Sequence, residues 1–440
     1  MATPAYALPR REAETMTHIG EAGHRGERAR SDCWVRVEAR ADGGVNLSVT
    51  SKVEVMYGDA VRRTCREVLG ALDVRNATVT VEDQGAVDFV LAARIEAAVK
   101  RAGIGAGAAF LPAPGPGFDA QTTRDRFRRS RLYLPGNEPK HFLNAKLHEP
   151  DAIILDLEDA VAPTEKDAAR LLVRNALRAV DFGQCERMVR INQGERGLED
   201  VDVVAAQNVH VILIPKAESA EQVRAVDARA GAARRDAGLQ GPCLLVPIIE
   251  TALGCFNALA IASASPNVVA LTIGLEDYTA DVGVERTAEG RESLWARQMV
   301  VNAARAAGVA PSDSVFSDVS DLEGLRAAVL EAKALGFEGK GCIHPRQVPV
   351  VHAGFAPTPD EIAKAQRIVL AFEDATQRGV GVVALGSKMV DPPVVKRALR
   401  TLRMAEALAI LPQDWRRRTE GAPAEGDGSR KESSERAGGQ

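Results

Sequence analysis

Apolar positions follow two regimes along the chain. Through residue 103 they alternate or recur at helical spacing; from Arg128 they come as short solid runs separated by amphipathic stretches. Trp34–Ala39 (WVRVEA) and Val45–Val49 (VNLSV) alternate, with Asp42-Gly43-Gly44 between them, which predicts two strands joined by a hairpin turn. Asp59–Leu72 has helical periodicity, Ala77–Val81 predicts a third strand, and Gly85–Arg101 a second helix. Residues 31–103 therefore read as a small α+β module. Residues 1–30, polar and rich in Arg and Glu, predict a disordered segment. Residues 104–127 are rich in Gly, Ala and Pro and predict a linker whose Pro-Gly elements limit its flexibility.

The later runs are Arg131–Leu134, Ala152–Leu157, Met188–Ile191, His210–Ile214, Leu244–Ile249, Val268–Ile273, Ser314–Phe316 and Gly341–Ile343. Between them lie Ala-, Leu- and Arg-rich stretches such as Lys166–Val180 and Leu322–Leu335. Strands alternating with helices in this number point to an α/β fold, a (β/α)8 TIM barrel, rather than an open doubly wound sheet. No GxGxxG follows the first strand, which weakens a dinucleotide-binding reading. Thr358–Gly379 and Val394–Leu411 then predict helices flanking the loop ALGSKMVDPP, a C-terminal helical lid that closes the domain at residue 412. Residues 413–440 predict a disordered tail.

In such a barrel the chemistry sits where the strands end. Glu250 follows Leu244–Ile249 directly, and Glu276 and Asp277 follow Val268–Ile273 after Gly274. Glu250 and Asp277 can converge on one hard cation; Mg²⁺ takes one or two protein carboxylates and keeps other positions for water and substrate. The first strand carries Arg131 and ends in Pro135-Gly136-Asn137, and the other strand ends supply Asp156, Glu158 and Asp159, then Arg190 and Asn192, then Lys216, then His344. Acids, fixed cations and a metal on one rim suit an anionic, oxygen-rich substrate. Arg190, mid-strand in an apolar run, reads as functional. Glu158, Asp159 and Lys216 fit either a direct role or an ion-pair network closing the mouth. His344 reads as a packing or hydrogen-bonding residue. No Ser-His-Asp or Cys-His pattern stands out, which disfavours covalent nucleophilic catalysis.

Composition narrows the field. The chain has 440 residues, 45% apolar and 26% charged, with a formal net charge of −4 and no basic stripe, so nucleic acid is not the expected partner. No apolar run approaches the ~18 residues a membrane span needs. The cysteines are scattered without a CxxC pair and several sit in apolar runs, which predicts buried free thiols in a reducing, cytoplasmic setting.

The segments RSRLYLPGNEPKHFLNAKLHEPDAIILDLEDAVAPTEKDAAR, MVRIN, LIPKAES, IIETALG, GLEDYTADVG, GFEGKGCIHPRQ and GSKMVDPPVV resemble the citrate lyase β-subunit, of the citrate lyase/HpcH-type aldolase superfamily, over residues 128–411. The resemblance implies a barrel, usually trimeric or hexameric, with Mg²⁺ held at Glu250 and Asp277 and substrate contacted by Arg190 and Glu250. Arg131 is carried over as a further substrate contact and Glu158 as a catalytic residue. It also implies that Asp391 comes from a neighbouring subunit's lid and takes part in proton transfer. SDCWVRVEARADGGVNLSVTSKVEVMYGDAVRRT and ALDVRNATVTVEDQGAVDFVLAARIEAAVKRA resemble the citrate lyase γ-subunit, an acyl carrier protein. The chain thus looks like a fusion of γ and β subunits.

The family's carrier serine, bearing a phosphoribosyl-dephospho-CoA arm, falls two residues before the aspartate matching Asp32, where this chain has Arg30; Ser31 lies one residue closer. Either the arm sits on Ser31 or the carrier function is lost. The implied reaction is Mg²⁺-dependent cleavage of a citryl thioester to acetyl thioester and oxaloacetate, with a separate citrate lyase α-subunit as an expected partner. The alternatives are a stand-alone malyl-, citramalyl- or related 3-hydroxyacyl-CoA lyase with a vestigial carrier module, a non-catalytic assembly subunit, and a phosphoenolpyruvate-type barrel enzyme. Intact Glu250, Asp277 and Arg190 speak against the assembly subunit, and no phosphate-binding Gly loop supports the last.

Overall fold

The computed structural model describes residues 18–26, 29–105, 107–379, 383–385 and 388–416. The chain divides into two compact units between Phe355 and Ala356. Most of the two terminal segments expected to be disordered therefore lies outside the described residues.

The first unit opens with β1 (Ile19–Gly23), β2 (Cys33–Ala39), β3 (Val45–Ser51), α1 (Glu54–Ala71), β4 (Ala77–Asp83) and α2 (Asp88–Arg101). The sheet order is β1-β2-β4-β3, with β2 antiparallel to both neighbours and β3 parallel to β4. This corrects two expectations. β2 and β3 form no hairpin: β4, whose Ala77, Val79 and Val81 are wholly buried, takes the central place between them. β3 buries none of its residues fully and goes to the edge. The segment expected to be disordered through residue 30 also supplies β1, which pairs with β2 from Trp34 to Glu38. Its sequence, IGEAG, is too short and small to read as a strand, yet smallness is what the site needs. A Cβ on Gly20 would stand 2.0 Å from the Ala98 carbonyl oxygen of α2.

The barrel follows as β5 (Ser130–Pro135), α3 (Pro139–Leu143), β6 (Ala152–Asp156), α4 (Lys166–Ala179), β7 (Glu186–Arg190), α5 (Gly194–Val204), β8 (Val211–Ile214), α6 (Ala220–Asp236), β9 (Leu244–Ile249), α7 (Ala252–Phe256), α8 (Ala258–Ala262), β10 (Ala270–Ile273), α9 (Leu275–Val282), α10 (Arg291–Ala307), β11 (Ala310–Ser312), α11 (Leu322–Leu335), β12 (Lys340–Cys342) and α12 (Gln347–Phe355). The eight strands pair in parallel in the order β11-β10-β9-β8-β7-β6-β5-β12. A parallel bridge between Asp313 and Lys340 closes the ring. Every residue of β6, β8, β9 and β10 is buried, as strands covered on both faces must be. Ile154, Met188, Leu213, Val246 and Ile248 fill the interior. The seventh strand lies at Ala310–Ser312, ahead of the expected Ser314–Phe316. Its small residues and Pro311 hid it, while the apolar Val315-Phe316 pair belongs to the loop at the mouth.

The stretch expected to be a linker is pinned down. The Gly115 N–H donates to Arg178 O (2.8 Å), and the Arg187 guanidinium donates to Gly117 O (2.6 Å), Phe118 O (3.1 Å) and Ala120 O (3.0 Å). It runs across the barrel where β7 and β8 begin. All six cysteines are buried and unpaired, as expected. The second unit contains α13 (Pro359–Gln377), a β13–β14 pair (Val383–Leu385, Lys388–Val390) and α14 (Pro392–Ala407). Trp415, within the expected tail, is instead buried in this unit, its indole N–H donating to Glu406 (2.8 Å). Among the described residues no helix is long and apolar enough to cross a membrane.

The module and the barrel share one hydrophobic core. Helix α2 is buried from Phe89 through Val99, with the module's sheet on one side and α4 on the other. Inside that seam Arg174 donates to both Glu96 oxygens (3.0 and 2.7 Å), and Lys100 (2.7 Å) and the Phe110 N–H (3.1 Å) complete the shell. Burial opposes the charge on Glu96, but these donors outweigh it and hold its carboxyl below the usual range. Removing one partner of a buried pair leaves the other charge uncompensated, so Glu96→Ala should cost about 3–5 kcal/mol in urea unfolding. Because the native carboxyl is depressed, the deficit should shrink as pH falls through the ordinary carboxylate range. A cost below about 1 kcal/mol, typical of a surface pair, would contradict this.

Candidate active site

The strand ends enclose a cavity of about 410 Å3 lined, among others, by Arg131, Arg190, Glu250, Asp277 and Thr272. The parallel register sets its chemistry. Pro135 pairs with Asp156 and Asp156 with Arg190, so the last residues of three successive strands stand level at one rim. Arg190 donates through Nε and Nη2 to the two oxygens of Asp156, both at 2.7 Å. Its Nη1 donates to Asp159 (2.9 Å) and lies 2.8 Å from Glu158. Burial works against this guanidinium, but Asp156 and the acids behind it hold it firmly protonated. A bidentate fork of this kind fixes orientation as well as charge.

Glu158 is 4% exposed and receives Gln193 (2.8 Å) and Lys216 Nζ (3.2 Å). Burial raises its carboxyl above the usual range despite Arg190 nearby, while Asp159, closer to solvent, is held below it. Lys216 lies 3.2 Å from Asp277 as well, so its ammonium bridges the β6 and β10 sides of the mouth. The network reading of Glu158, Asp159 and Lys216 is thus realised geometrically.

Glu250, 3% exposed, is in a different position. Its one hydrogen bond among the described residues comes from the Lys216 backbone N–H at 2.8 Å, presented by a left-handed turn (φ 45°) at the end of β8. Burial pushes its carboxyl up to about 7, with Glu158 and Asp277 adding to the effect. Gly274 makes room for it: a Cβ there would stand 2.4 Å from Glu250 Oε1. Asp277, in the first turn of α9, faces the same cavity. Among the described residues no group of three or more His, Cys, Asp or Glu side chains converges into a closed metal cage. A buried, under-compensated carboxylate beside a second one at an open mouth still has the donor chemistry of a Mg²⁺ site that keeps water and substrate ligands.

Arg131 carries the strongest unspent charge. It is 2% exposed, and its Nη2 donates to Thr272 Oγ1 and Asp313 O, each at 3.0 Å. Its Nε and Nη1, both buried, have no hydrogen-bond partner among the described residues, and burial lowers its proton affinity. The residue nonetheless lines the cavity, so an uncompensated positive charge stands at that wall and favours an anion.

Two further residues were expected at the site. Asp391 belongs to the second unit, where its carboxylate caps α14 by accepting from the Val394 N–H (3.1 Å). Ser31 occupies a left-handed turn (φ 56°) ahead of β2, half-buried, beside the buried Asp32. His344 accepts from the Arg346 N–H (3.1 Å), in line with the structural role expected for it. Sequence reasoning missed the parts played by Thr272 and Gly274. For Gly274 the signal was available, since a glycine placed straight after a buried strand often marks a close approach.

Residues 129–345 match the family model described as HpcH/HpaI aldolase/citrate lyase, and residues 21–102 match the carrier-protein model described as malonate decarboxylase delta subunit (MdcD). The citrate lyase subunit beta of Leuconostoc mesenteroides subsp. cremoris is 40% identical over 290 residues, covering 64% of this chain and 95% of that one. The mitochondrial citramalyl-CoA lyase of Mus musculus is 34% identical over 293 residues, covering 64% and 87%. The structure of protein CitE from Mycobacterium tuberculosis in complex with magnesium, acetoacetate and coenzyme A superposes with a TM-score of 0.53 at 32% identity, covering 64% and 99%. The chain belongs to the HpcH/HpaI aldolase/citrate lyase family, with an acyl-carrier-like module ahead of the family's barrel.

Proposed function

We propose that this protein is a Mg²⁺-dependent carbon–carbon lyase that cleaves a citryl thioester to an acetyl thioester and oxaloacetate. The observation that carries it is a buried carboxylate without enough positive charge, Glu250, sharing a cavity with a buried guanidinium, Arg131, that has no ion-pair partner among the described residues. Glu250 and Asp277 would hold the magnesium, which supplies Lewis acidity toward the carboxylate and hydroxyl oxygens of the substrate. Arg131, in the cavity wall, supplies positive charge toward the substrate's carboxylate. Glu158, its carboxyl raised by burial, accepts the hydroxyl proton. The bond between the carbinol carbon and the thioester α-carbon then breaks, and its electron pair moves onto the α-carbon as a thioester enolate. Arg190, preset by Asp156, steadies the enolate oxygen. Asp391, reaching over from a neighbouring subunit of a trimer or hexamer, returns a proton to the α-carbon. If the module carries an arm on Ser31, a citrate lyase α-subunit would exchange the acetyl group left on the arm for a new citryl group from citrate, releasing acetate.

Arg30 at the family's serine position favours a second reading, a stand-alone lyase in which the same barrel works on free malyl-, citramalyl- or a related 3-hydroxyacyl-CoA and the module is vestigial. Oxaloacetate release from citryl-CoA, compared with turnover of citramalyl- and malyl-CoA under saturating Mg²⁺, separates the two. No turnover of any of them would sink both.

Glu250→Gln keeps the size of the side chain and removes the charge, so kcat/KM should fall by at least about 100-fold with the melting temperature retained. Gly274→Ala should produce a comparable loss by pushing the Glu250 carboxylate aside, since the added methyl has only 2.4 Å to Oε1. Full activity in Gly274→Ala would show that this carboxylate position is not needed. Magnesium requires Glu250 ionised and its carboxyl sits at about 7, so calorimetric Mg²⁺ affinity should weaken as pH drops below 7, by about tenfold per unit. A flat affinity between pH 6 and 8 contradicts the assignment.

A further inference from the structure

A carrier that swings on a tether needs a free surface and a loose connection, and this module has neither. The module and the barrel lie in one compact unit with one core. α2 is buried on both sides, and the connecting stretch is bonded along the barrel through Gly115, Gly117, Phe118 and Ala120. At the outer end of the seam, Arg101 of α2 grips Asp167 (2.8 Å from Nε) and the Thr164 carbonyl (2.7 Å) at the start of α4.

The turn ahead of β2 is held as well. Asp32, 2% exposed, accepts Nε and Nη2 of Arg94, both at 2.9 Å, and pairs with His24 at 2.8 Å. Arg94, fully buried, also donates from Nη2 to the Asn137 carbonyl at 2.8 Å. Asn137 is two residues beyond Pro135, the end of β5 and part of the cavity wall. A single guanidinium therefore ties the Ser31–Asp32 turn to the rim of the catalytic mouth.

We propose that the module is docked at the rim of its own barrel's mouth and is not a swinging carrier. Arg94 is the positioning residue that holds the Ser31–Asp32 turn against the β5 rim, so that a thioester borne on that turn is presented to the barrel of the same chain and not to another copy's barrel. The presented thioester rests on the carrier reading above; the docking does not.

Three measurements on the full chain test it. All six native cysteines are buried, so a fluorophore on Ser31→Cys reports this turn alone. Its anisotropy decay should show tumbling of the whole protein, and an independent motion of a module-sized body would overturn the docking. Next, Glu250→Gln protein carrying the arm and loaded with a citryl group is mixed with Ser31→Ala protein, which has an intact barrel. No oxaloacetate should appear, and its release would overturn delivery in cis. Last, Arg94→Lys loses the fork, so release from its own arm should slow by about 100-fold while turnover of free citryl-CoA stays within about twofold. Equal losses in both would make Arg94 merely structural. If mass analysis of the native protein finds no arm on Ser31, the carrier reading fails by itself and the anisotropy decay alone decides the docking.

Discussion

Charge buried at the barrel mouth has to be compensated, and the rest of the site depends on how unevenly that is done. The Asp156–Arg190 fork is complete: two carboxylate oxygens meet two guanidinium nitrogens, and the acids behind take up Nη1. It sets the register of β6 and β7 and fixes one cation before substrate arrives. Glu250 and Arg131 are left incomplete. Each is buried, and neither has an ion-pair partner among the described residues. Leaving such groups unpaired is costly, and their persistence in one cavity is the physical mark of a site built for something with complementary charge.

That unevenness also divides labour between the two arginines. Arg190 is surrounded by three carboxylates, so its net attraction for a further anion is reduced, and its value lies in orientation. Arg131 has only neutral neighbours at hydrogen-bond distance, Thr272 Oγ1 and the Asp313 carbonyl, and keeps its charge for a ligand. Both arginines could be read from their places in apolar strands. Their division of labour could not, because it depends on which acids lie across the barrel from them.

The barrel was legible because its strands are solid apolar runs at regular spacing, and a run such as Leu244–Ile249 has one stable place, buried on both faces. Where residues are small the signal vanishes. β1 and β11 owe their positions to fit rather than to hydrophobicity, so IGEAG and APS went unread or misplaced. The β2–β3 turn misled because Asp-Gly-Gly describes the loop and not the partner, and partner choice was settled by the more apolar β4. Of the residues expected at the site, Glu250, Asp277, Arg131 and Arg190 line one cavity, and Glu158 stands behind Arg190 and Lys216. Gly274 acts only through the space it leaves, which one chain in isolation does not display.

The seam between module and barrel has the same logic on a larger scale. α2 reads DFVLAARIEAAVKR, apolar nearly all round, and a helix of that kind is buried on every side. Its two buried charges face opposite ways along the chain's history of contacts: Arg94 reaches Asp32 in the module and Asn137 in the barrel, while Glu96 reaches Arg174 in the barrel. Undocking would expose the apolar face and also separate Glu96 from Arg174. The lost donors and lost apolar burial together amount to several kcal/mol, and each 1.4 kcal/mol is about a factor of ten in population. A module that leaves its seat so rarely cannot carry substrate by travelling. Any reach it has toward a second site must come from a flexible arm attached to its surface, and the turn from which that arm would grow is the part most tightly held to the mouth.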